Sequence, residues 1–308
     1  MAAVTAKMVK ALREQTGAGM MDCKKALNET EGVLDDAVDW LRTKGLSAAA
    51  KKAGRVAAEG VVAFSVSDAG GALIEVNSET DFVSRNGDFQ AFSLKLADMV
   101  LENGDDVEYL KTQPYPSTDR TVGEQLTHNI ATIGENMSIR RATKLDADGG
   151  IVIPYMHNSV APGLGKIGVL VVLKSDAPVD KLSALGKQIA MHVAATAPQS
   201  LRIDDLDPVA IERERAVLTD QAKESGRPEN IIEKMVSGRL QKFYQEVVLL
   251  EQTFVIDNET KISSVIENAS KDFGSSVELI SFCRLSLGEG IEKESTDFAS
   301  EVAATLSN

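Results

Sequence analysis

The residues with the clearest chemical potential in this 308-residue sequence are an aromatic and a carboxylate that stand side by side. They lie in the segment 77–83 (NSETDFV), which follows a β-rich run ending at Val76 and is predicted to cross from a strand to a helix. On an exposed crossing, Phe82 would anchor an interface and Asp81 would add an electrostatic contact. In the alternative, Asp81 caps the next helix and Phe82 packs inward. Spacing alone favours this second arrangement.

The glycine-rich stretch 163–168 (GLGKIG) has the spacing of a dinucleotide-binding turn. It is followed by the strand-like run 169–173, however, and not by a helix whose N-terminus could hold a pyrophosphate. A phosphate-binding P-loop is also excluded, because Ile167 stands where Ser or Thr must follow Gly-Lys. The stretch is therefore predicted to be a loop that leads into a strand.

The three histidines, His128, His157 and His192, give no catalytic or metal-binding pattern. They are far apart, and no Cys, Asp or Glu joins them at the spacing of a zinc site. His192 stands between Ile189 and Val193 on a predicted helix, so it is expected to be a packed core histidine. No Gly-x-Ser-x-Gly elbow is present. Nothing in the sequence requires an enzyme, and no cofactor or bound metal is expected.

The charge balance is acidic, with 33 Lys and Arg against 46 Asp and Glu, for a net charge of −13. This argues against a general nucleic-acid binder. Residues 1–55 nevertheless contain ten basic and seven acidic residues, so a separate basic N-terminal module is predicted, although an ordinary solvated surface is equally compatible. No apolar run reaches a membrane span, and no secretory signal begins the chain. Cys23 and Cys283 form no disulfide framework, and a cytoplasmic location is expected.

Three short helices are predicted to position the N-terminal residues in a bundle of about 45 residues. Thr5 is placed to cap the first helix, Asp22 to cap the second, and Gly32 to end the second. The third helix is predicted to stop at Gly45. The stretch 47–59 is rich in Ala and Lys and is predicted to be a helical connector.

Past Gly60 the periodicity indicates an α+β fold made of two related β-β-α-β units. The predicted elements of the first unit are strands 61–66, 72–76 and 137–145, with a helix over 89–99. Those of the second are strands 151–155, 167–173 and 277–287, with a helix over 182–195. A final helix is predicted over 296–306.

A helical hairpin is predicted to be inserted at 203–250, with its turn at 226–228 and Pro228 in the first helical position. Its second helix has an apolar face, formed by Ile232, Val236, Leu240, Phe243 and Val247. That face would either pack on the chain's own core or remain for a partner or a second copy.

The sequence resembles the bacterial elongation factor Ts family over nearly its whole length. The resemblance is carried by 12–27 (LREQTGAGMMDCKKAL), 51–60 (KKAGRVAAEG), 79–83 (ETDFV), 133–136 (IGEN), 167–171 (IGVLV), 190–195 (AMHVAA), 288–293 (GEGIEK) and 296–299 (TDFA). It implies a non-enzymatic exchange factor that promotes GDP release from elongation factor Tu. Rival interpretations are an adaptor whose bundle recognises ubiquitin-like or ribosomal surfaces, and an enzyme with a nucleotide at 163–168.

The resemblance also implies a domain map. Residues 1–55 would form a ubiquitin-associated-like (UBA-like) N-terminal domain, and 56–145 the N-subdomain of the core. Residues 146–202 with 251–284 would form the core C-subdomain, 203–250 a coiled-coil or dimerisation hairpin, and 285–308 a C-terminal module.

Residue roles follow from the same resemblance. Thr80, Asp81, Phe82 and Val83 match the segment that disturbs the magnesium of elongation factor Tu. Arg13, Met20, Met21 and His157 match partner-binding positions, although the spacer 158–166 after His157 is longer than in shorter relatives. Elongation factor Tu would be bound both with GDP and without nucleotide. No direct nucleic acid and no membrane are expected as partners, and a homodimer would form through the hairpin.

Overall fold

The protein is described by a computed structural model for residues 4–16, 18–224 and 226–292. The predicted C-terminal helix over 296–306 lies outside the described residues, as does most of the proposed module 285–308. Within the described ranges, no helix is both long and apolar enough to cross a membrane.

Helices pack on antiparallel strands, as in an α+β protein. The α-helices of the described residues are α1 (Ala6–Thr16), α2 (Met20–Glu29), α3 (Leu34–Lys52), α4 (Gly87–Asn103), α5 (Val107–Thr112), α6 (Val122–Ile133), α7 (Val179–Thr196), α8 (Pro208–Lys223), α9 (Glu229–Val247) and α10 (Ile262–Phe273). The strands are β1 (Glu59–Ser67), β2 (Gly70–Ser78), β3 (Met137–Asp146), β4 (Ile151–His157), β5 (Leu164–Gly165), β6 (Ile167–Lys174) and β7 (Glu278–Ser286). The predicted α+β class is confirmed, whereas α5, α6 and α10 were not predicted.

Helices α1 to α3 form a bundle around the buried side chains of Leu12, Cys23 and Leu27. The prediction that Asp22 caps α2 is wrong: the helix begins at Met20, and Asp22 instead forms an ion pair with Lys44 of α3. An N-cap side chain must precede the first helical turn, and Asp22 lies inside that turn.

Helix α3 does not stop at Gly45, so that prediction is also wrong; it continues to Lys52 and includes the first six residues of the predicted connector. A glycine inside a helix costs about 1 kcal/mol relative to alanine. Here the missing side chain lets α3 approach α6, because a Cβ atom on Gly45 would lie 3.3 Å from Cβ of Ala131. The compensation is tertiary, which is why the local sequence did not indicate it.

The strands form two antiparallel sheets with orders β3-β2-β1-β5 and β4-β6-β7. Helix α4 covers the outer face of the first sheet, with Phe89 and Phe92 buried. Helix α7 covers the outer face of the second sheet, with Leu182 and Ile189 buried.

The inner faces of the two sheets meet in a small apolar cluster made of Val62, Leu73, Leu170 and Leu285, with partly buried neighbours. The sheets approach closely at Gly168, where a Cβ atom would lie 2.8 Å from Val62 Cγ1. The molecule therefore has two large cores, one beneath each helical layer, and a thin layer between the sheets.

Helices α8 and α9 form the predicted hairpin and bury Leu218, Val236 and Leu240 between them. Pro228 is the residue before the first turn of α9, so its prediction as the first helical residue is wrong; Pro208 occupies that place in α8. The two ends of the hairpin lie side by side, with the Leu249 N–H donating to Ser200 O at 2.9 Å.

Candidate functional site

The segment after β2 presents Phe82 to solvent. Phe82 is 78% exposed, Asp81 is also exposed, and Val83 is buried as the first residue of a short 3-10 turn that ends at Arg85. The alternative in which Phe82 packs inward is therefore wrong. An exposed aromatic ring beside an exposed carboxylate is an arrangement suited to a macromolecular contact.

Asp81 does not cap the following helix, so that part of the alternative is wrong as well. Helix α4 is capped by Asn86, whose Oδ1 accepts from the N–H groups of Asp88 and Phe89 at 2.9 and 3.1 Å. The 3-10 turn separates Asp81 from the helix, and an N-cap side chain reaches only the second or third helical residue. The carbonyl of Asp81 accepts instead from the Ser84 hydroxyl at 2.6 Å, which leaves the Asp81 carboxylate outside the turn.

Two glutamates, one in each of two neighbouring loops, accept hydrogen bonds that hold the backbone next to Phe82. Glu135, in the turn between α6 and β3, accepts from the Thr80 N–H at 2.9 Å and from the Thr80 hydroxyl at 2.6 Å. In return, Glu79 accepts from the Asn136 N–H at 2.5 Å and pairs with Arg55 at 3.4 Å. Hydrogen bonds to charged acceptors are stronger than neutral ones, so the loop is fixed on both sides. We call these four contacts the crossed clamp.

The sequence indicated 133–136 only as part of a resemblance, and the role of Glu135 was missed. A clamp between residues 55 positions apart leaves no local pattern in the chain. The available signal was two acidic residues, Glu79 and Glu135, each next to a predicted strand end.

His157 is the last residue of β4 and is exposed; its Nδ1 lies 3.1 Å from the Tyr155 hydroxyl. The spacer 158–166 is an ordered return that includes β5, which pairs with β1 through Gly165 and Val62. His157 is thus held at the edge of the second sheet. Since the Phe82 loop follows a strand of the first sheet, the two positions are held by different sheets.

The predicted contact residues of the N-terminal bundle are accessible. Met20 and Met21 begin α2 and are 60% and 77% exposed, and Arg13 is exposed in the last turn of α1. Unbranched, polarizable methionine side chains adapt well to a partner surface.

His192 is fully buried, which confirms its prediction as a core histidine. The Val255 N–H points to His192 Nδ1 at 3.3 Å, so Nε2 carries the proton and donates to Gln252 Oε1 at 2.9 Å. Burial lowers the pKa of His192. On α6, burial and the neighbouring Arg120 lower the pKa of His128 to about 4.

No metal-binding group of three or more His, Cys, Asp or Glu occurs among the described residues. The stretch 163–168 leads into β6 as predicted, but it is not simply a loop, because Leu164 and Gly165 form the short strand β5. An open cleft of about 530 Å³ lies beside β7 and is lined by residues such as Ser200, Arg202 and Arg284. None of the predicted contact residues lines it.

An α+β scaffold that displays an aromatic anchor and methionines is typical of a protein that acts by contacting a macromolecule. The family profile described as Elongation factor TS matches residues 79–289. The chain is 60% identical over 304 residues to the elongation factor Ts of Rhodospirillum centenum, with 99% of each chain covered. It is 60% identical over 307 residues to that of Rhodospirillum rubrum and 56% identical over 304 residues to that of Zymomonas mobilis, again with 99% of each chain covered.

The chain therefore belongs to the elongation factor Ts family. Membership of this family implies a nucleotide exchange factor in translation elongation, with elongation factor Tu as its partner.

Proposed function

We propose that this chain, without catalysing a covalent reaction, promotes GDP release from elongation factor Tu by inserting Phe82 between elements of the partner. Asp81 would meanwhile disturb the contacts that hold the partner's magnesium ion. The observation that carries the proposal is the 78% exposure of Phe82 on a loop that the crossed clamp holds in place. A preformed anchor loses little conformational entropy when it binds, so more of its contact energy can act on the partner.

The proposed mechanism needs no bond to form or break in this chain. Magnesium bridges nucleotide phosphate oxygens to protein oxygens, so a shift of its ligands weakens nucleotide binding. Exchange is then a coupling between two ligands of one protein: this chain lowers the affinity for GDP, and GDP lowers the affinity for this chain by the same factor. The proposal therefore includes both the GDP-bound and the nucleotide-free partner as ligands.

Further contacts are proposed on both sides of the Phe82 loop. Thr80 and Val83 belong to the inserted segment and support it. Thr80 does so through the crossed clamp, and Val83 through its burial. Arg13, Met20 and Met21 are proposed to bind the partner from the UBA-like domain 1–55. His157 is proposed to contact it from the second sheet.

The hairpin is proposed as the contact of a homodimer. The proposal is supported by Val209 and Val217, which are 73% and 45% exposed and two helical turns apart on α8. Sedimentation velocity over a range of concentrations tests it: a double substitution of both valines by Ser should abolish any dimer. Unchanged association in that variant would contradict the hairpin contact.

Phe82→Ala tests the proposed exchange activity. Truncating a central interface aromatic costs about 2 kcal/mol or more. If that loss falls on the coupling to nucleotide, stimulated release of a fluorescent GDP slows by roughly thirtyfold at 1.4 kcal/mol per decade. The melting temperature should stay at the parent value, because the ring contacts little of its own chain.

Tyr109→Ala is the matched control, since Tyr109 is an exposed aromatic (52%) on α5 and not on the loop. It should release GDP at the parent rate. A Phe82→Ala variant with normal release, or equal losses in both variants, would contradict the proposed wedge.

A further inference from the structure

Among the described residues, Glu75 in the middle of β2 is the one Asp, Glu, Lys or Arg side chain that is fully buried. A buried carboxylate is costly unless it is paired and hydrogen-bonded. Its neighbours Leu73 and Asn77 alternate with it along the strand and share its face, and Leu73 belongs to the thin layer between the two sheets. Glu75 therefore faces the second sheet, not the helical layer.

A β-bulge in the adjacent strand brings two arginines to this one carboxylate. In the pairing of β2 with β3, Glu75 is opposite Arg141 and Val76 is opposite Ile139, so Arg140 is the extra residue. In a regular strand, consecutive side chains point to opposite faces, whereas a bulge re-aims one of them. Glu75 Oε2 accordingly lies 3.0 Å from Arg140 Nη1 and 2.5 Å from Arg141 Nε.

The same carboxylate also holds the chain that leaves the second sheet. The Gly288 N–H donates to Glu75 Oε1 at 2.8 Å, and Arg141 Nη2 donates to Ser286 O, at the end of β7, at 2.7 Å. Gly288 has φ +70°, and a Cβ atom there would lie 2.6 Å from Ala58 O, just before β1. The cluster thus joins β2, β3, the entry to β1 and the exit from β7. We call Glu75, Arg140, Arg141 and the 286–288 backbone the Glu75 latch.

The latch lies in the layer where apolar packing is thinnest. The contact between the sheets has four buried apolar residues, whereas each outer core has many more. Apolar contact is non-directional, and directional hydrogen bonds to a buried charge fix one arrangement of the groups that share it. Asn77 also donates to Glu75 Oε1 at 3.1 Å, and the Phe82 loop begins immediately after that strand.

We infer that Glu75 is a positioning residue: the latch fixes the first sheet, with its Phe82 loop, relative to the second sheet, with His157. Its effect on exchange rests on the function proposed for Phe82. The latch itself is a property of the free protein and is measured without a partner.

The first experiment measures the distance between the two halves of the molecule by double electron–electron resonance between two spin labels. Labels are placed on cysteines at Tyr109 of α5 and Val179 of α7, which are 52% and 63% exposed. Cys23 is buried and burial raises the pKa of Cys283 to about 12, so the native thiols compete little for label. Glu75→Gln should broaden the distance distribution. Glu278→Gln, which removes one exposed acid from β7, should leave it narrow.

Gly288→Ala disturbs the latch at the 286–288 backbone and leaves the Glu75 carboxylate in place. This variant is used in place of Glu75→Gln if Glu75→Gln fails to fold. It should broaden the same distribution because its Cβ atom would press on Ala58 O. A distribution as narrow as the parent's in Gly288→Ala, or in a cooperatively folded Glu75→Gln variant, would overturn the latch.

The second experiment separates positioning from loss of fold. Glu75→Gln should slow stimulated GDP release by about tenfold in the parent background and produce no further loss in a Phe82→Ala background, where no ring is left to position. Equal losses in the two backgrounds, or broadened distances with normal release, would overturn the positioning role. If Phe82→Ala itself releases GDP normally, the proposed wedge fails, and the distance measurement still decides whether the latch exists.

Discussion

At the scale of single residues, the Phe82 loop shows how a charged group can hold a segment whose Asp81 and Phe82 side chains are both exposed. Thr80 is only partly buried, yet both its backbone N–H and its hydroxyl donate to Glu135. Phe82 and Asp81 gain no comparable hold from their own side chains. The direction in which the ring points is therefore set by residues on either side of it and by a turn 55 positions away.

Replacing Thr80 by Val removes the hydroxyl but keeps the shape of the side chain. A hydrogen bond to a carboxylate contributes about 2 kcal/mol, so urea unfolding should show a loss of that order. Stimulated GDP release should also slow several-fold, because the loop loses one of its two bonds to Glu135. Thr219→Val is the control: its hydroxyl donates to Arg215 O of its own helix at 2.7 Å. Parent-like release in Thr80→Val would show that the clamp does not set the loop.

The lowered pKa of His128 predicts that the free energy of unfolding decreases as the pH falls. Its folded pKa of about 4 is below the ordinary value of 6.5, so the unfolded chain takes up the proton first as the pH falls. The free energy of unfolding should therefore decline from about pH 6.5 down to about pH 4, by at most roughly 3 kcal/mol from this residue at 1.36 kcal/mol per unit. Above about pH 6.5, His128 is neutral in both the folded and the unfolded chain, so it no longer makes the free energy of unfolding depend on pH.

His128→Gln should reduce this loss of stability in urea titrations at pH 7, 5.5 and 4.5, while the buried His192, whose pKa is also lowered, should keep part of it. His157→Gln, at an exposed histidine, should keep the parent's slope. If the His128 variant loses as much stability as the parent between pH 7 and 4.5, another group causes the decline.

At the scale of elements, local patterns were enough to predict each long strand and the helices α4, α7 and α9. The helices each have one apolar face, and β2 and β6 are buried almost throughout and give continuous β-rich apolar runs. Helices α5, α6 and α10 are short, at 6, 12 and 12 residues, and were missed although α6 and α10 each have a clear apolar face. Gly45 and Asp22 misled the prediction because tertiary partners, Ala131 and Lys44, decide their roles. The bulge at Arg140 was invisible for the same reason.

Two helix-interior glycines test that explanation. A Cβ atom added to Gly238 in α9 would meet nothing within 4 Å, so Gly238→Ala should raise the free energy of unfolding by up to about 1 kcal/mol through helix propensity. Gly45→Ala should show no such gain, because its methyl group would lie 3.3 Å from Ala131 and push α3 from α6. Urea melts followed by circular dichroism measure both. Equal stabilisation of the two variants would mean that α3 is not held against α6 at Gly45.

At the scale of the whole molecule, the exposed groups are distributed over three supports: the bundle, the first sheet and the second sheet. The bundle contacts the first sheet's helical layer through α3 and α6, with Arg42 pairing with Glu124 at 3.2 Å. The Glu75 latch joins the two sheets. Contacts on different parts of one scaffold can have different effects. Some contribute only to the affinity for the partner, and others change the partner's affinity for the nucleotide.

Met20 and Met21 are expected to contribute to the affinity for the partner and not to the effect on its nucleotide. Substituting both by Ser should raise the concentration of this chain that gives half-maximal GDP release by roughly tenfold, a cost of about 1.4 kcal/mol. The maximal release rate should stay at the parent value, because the methionines lie on the bundle and not on the Phe82 loop. Phe82→Ala should do the reverse and lower the maximal rate. Combined, the two changes should add in free energy, as expected for sites without shared partners.

Met191→Ser is the matched control, because Met191 is also exposed (42%) but lies on α7 of the second sheet's helical layer. It should change neither parameter. Titrating fluorescent GDP release against each variant over a hundredfold range of concentration separates the two parameters. If the methionine variant lowers the maximal rate while its half-maximal concentration is unchanged, the bundle acts on the nucleotide site itself, and binding and release are not divided between the bundle and the loop.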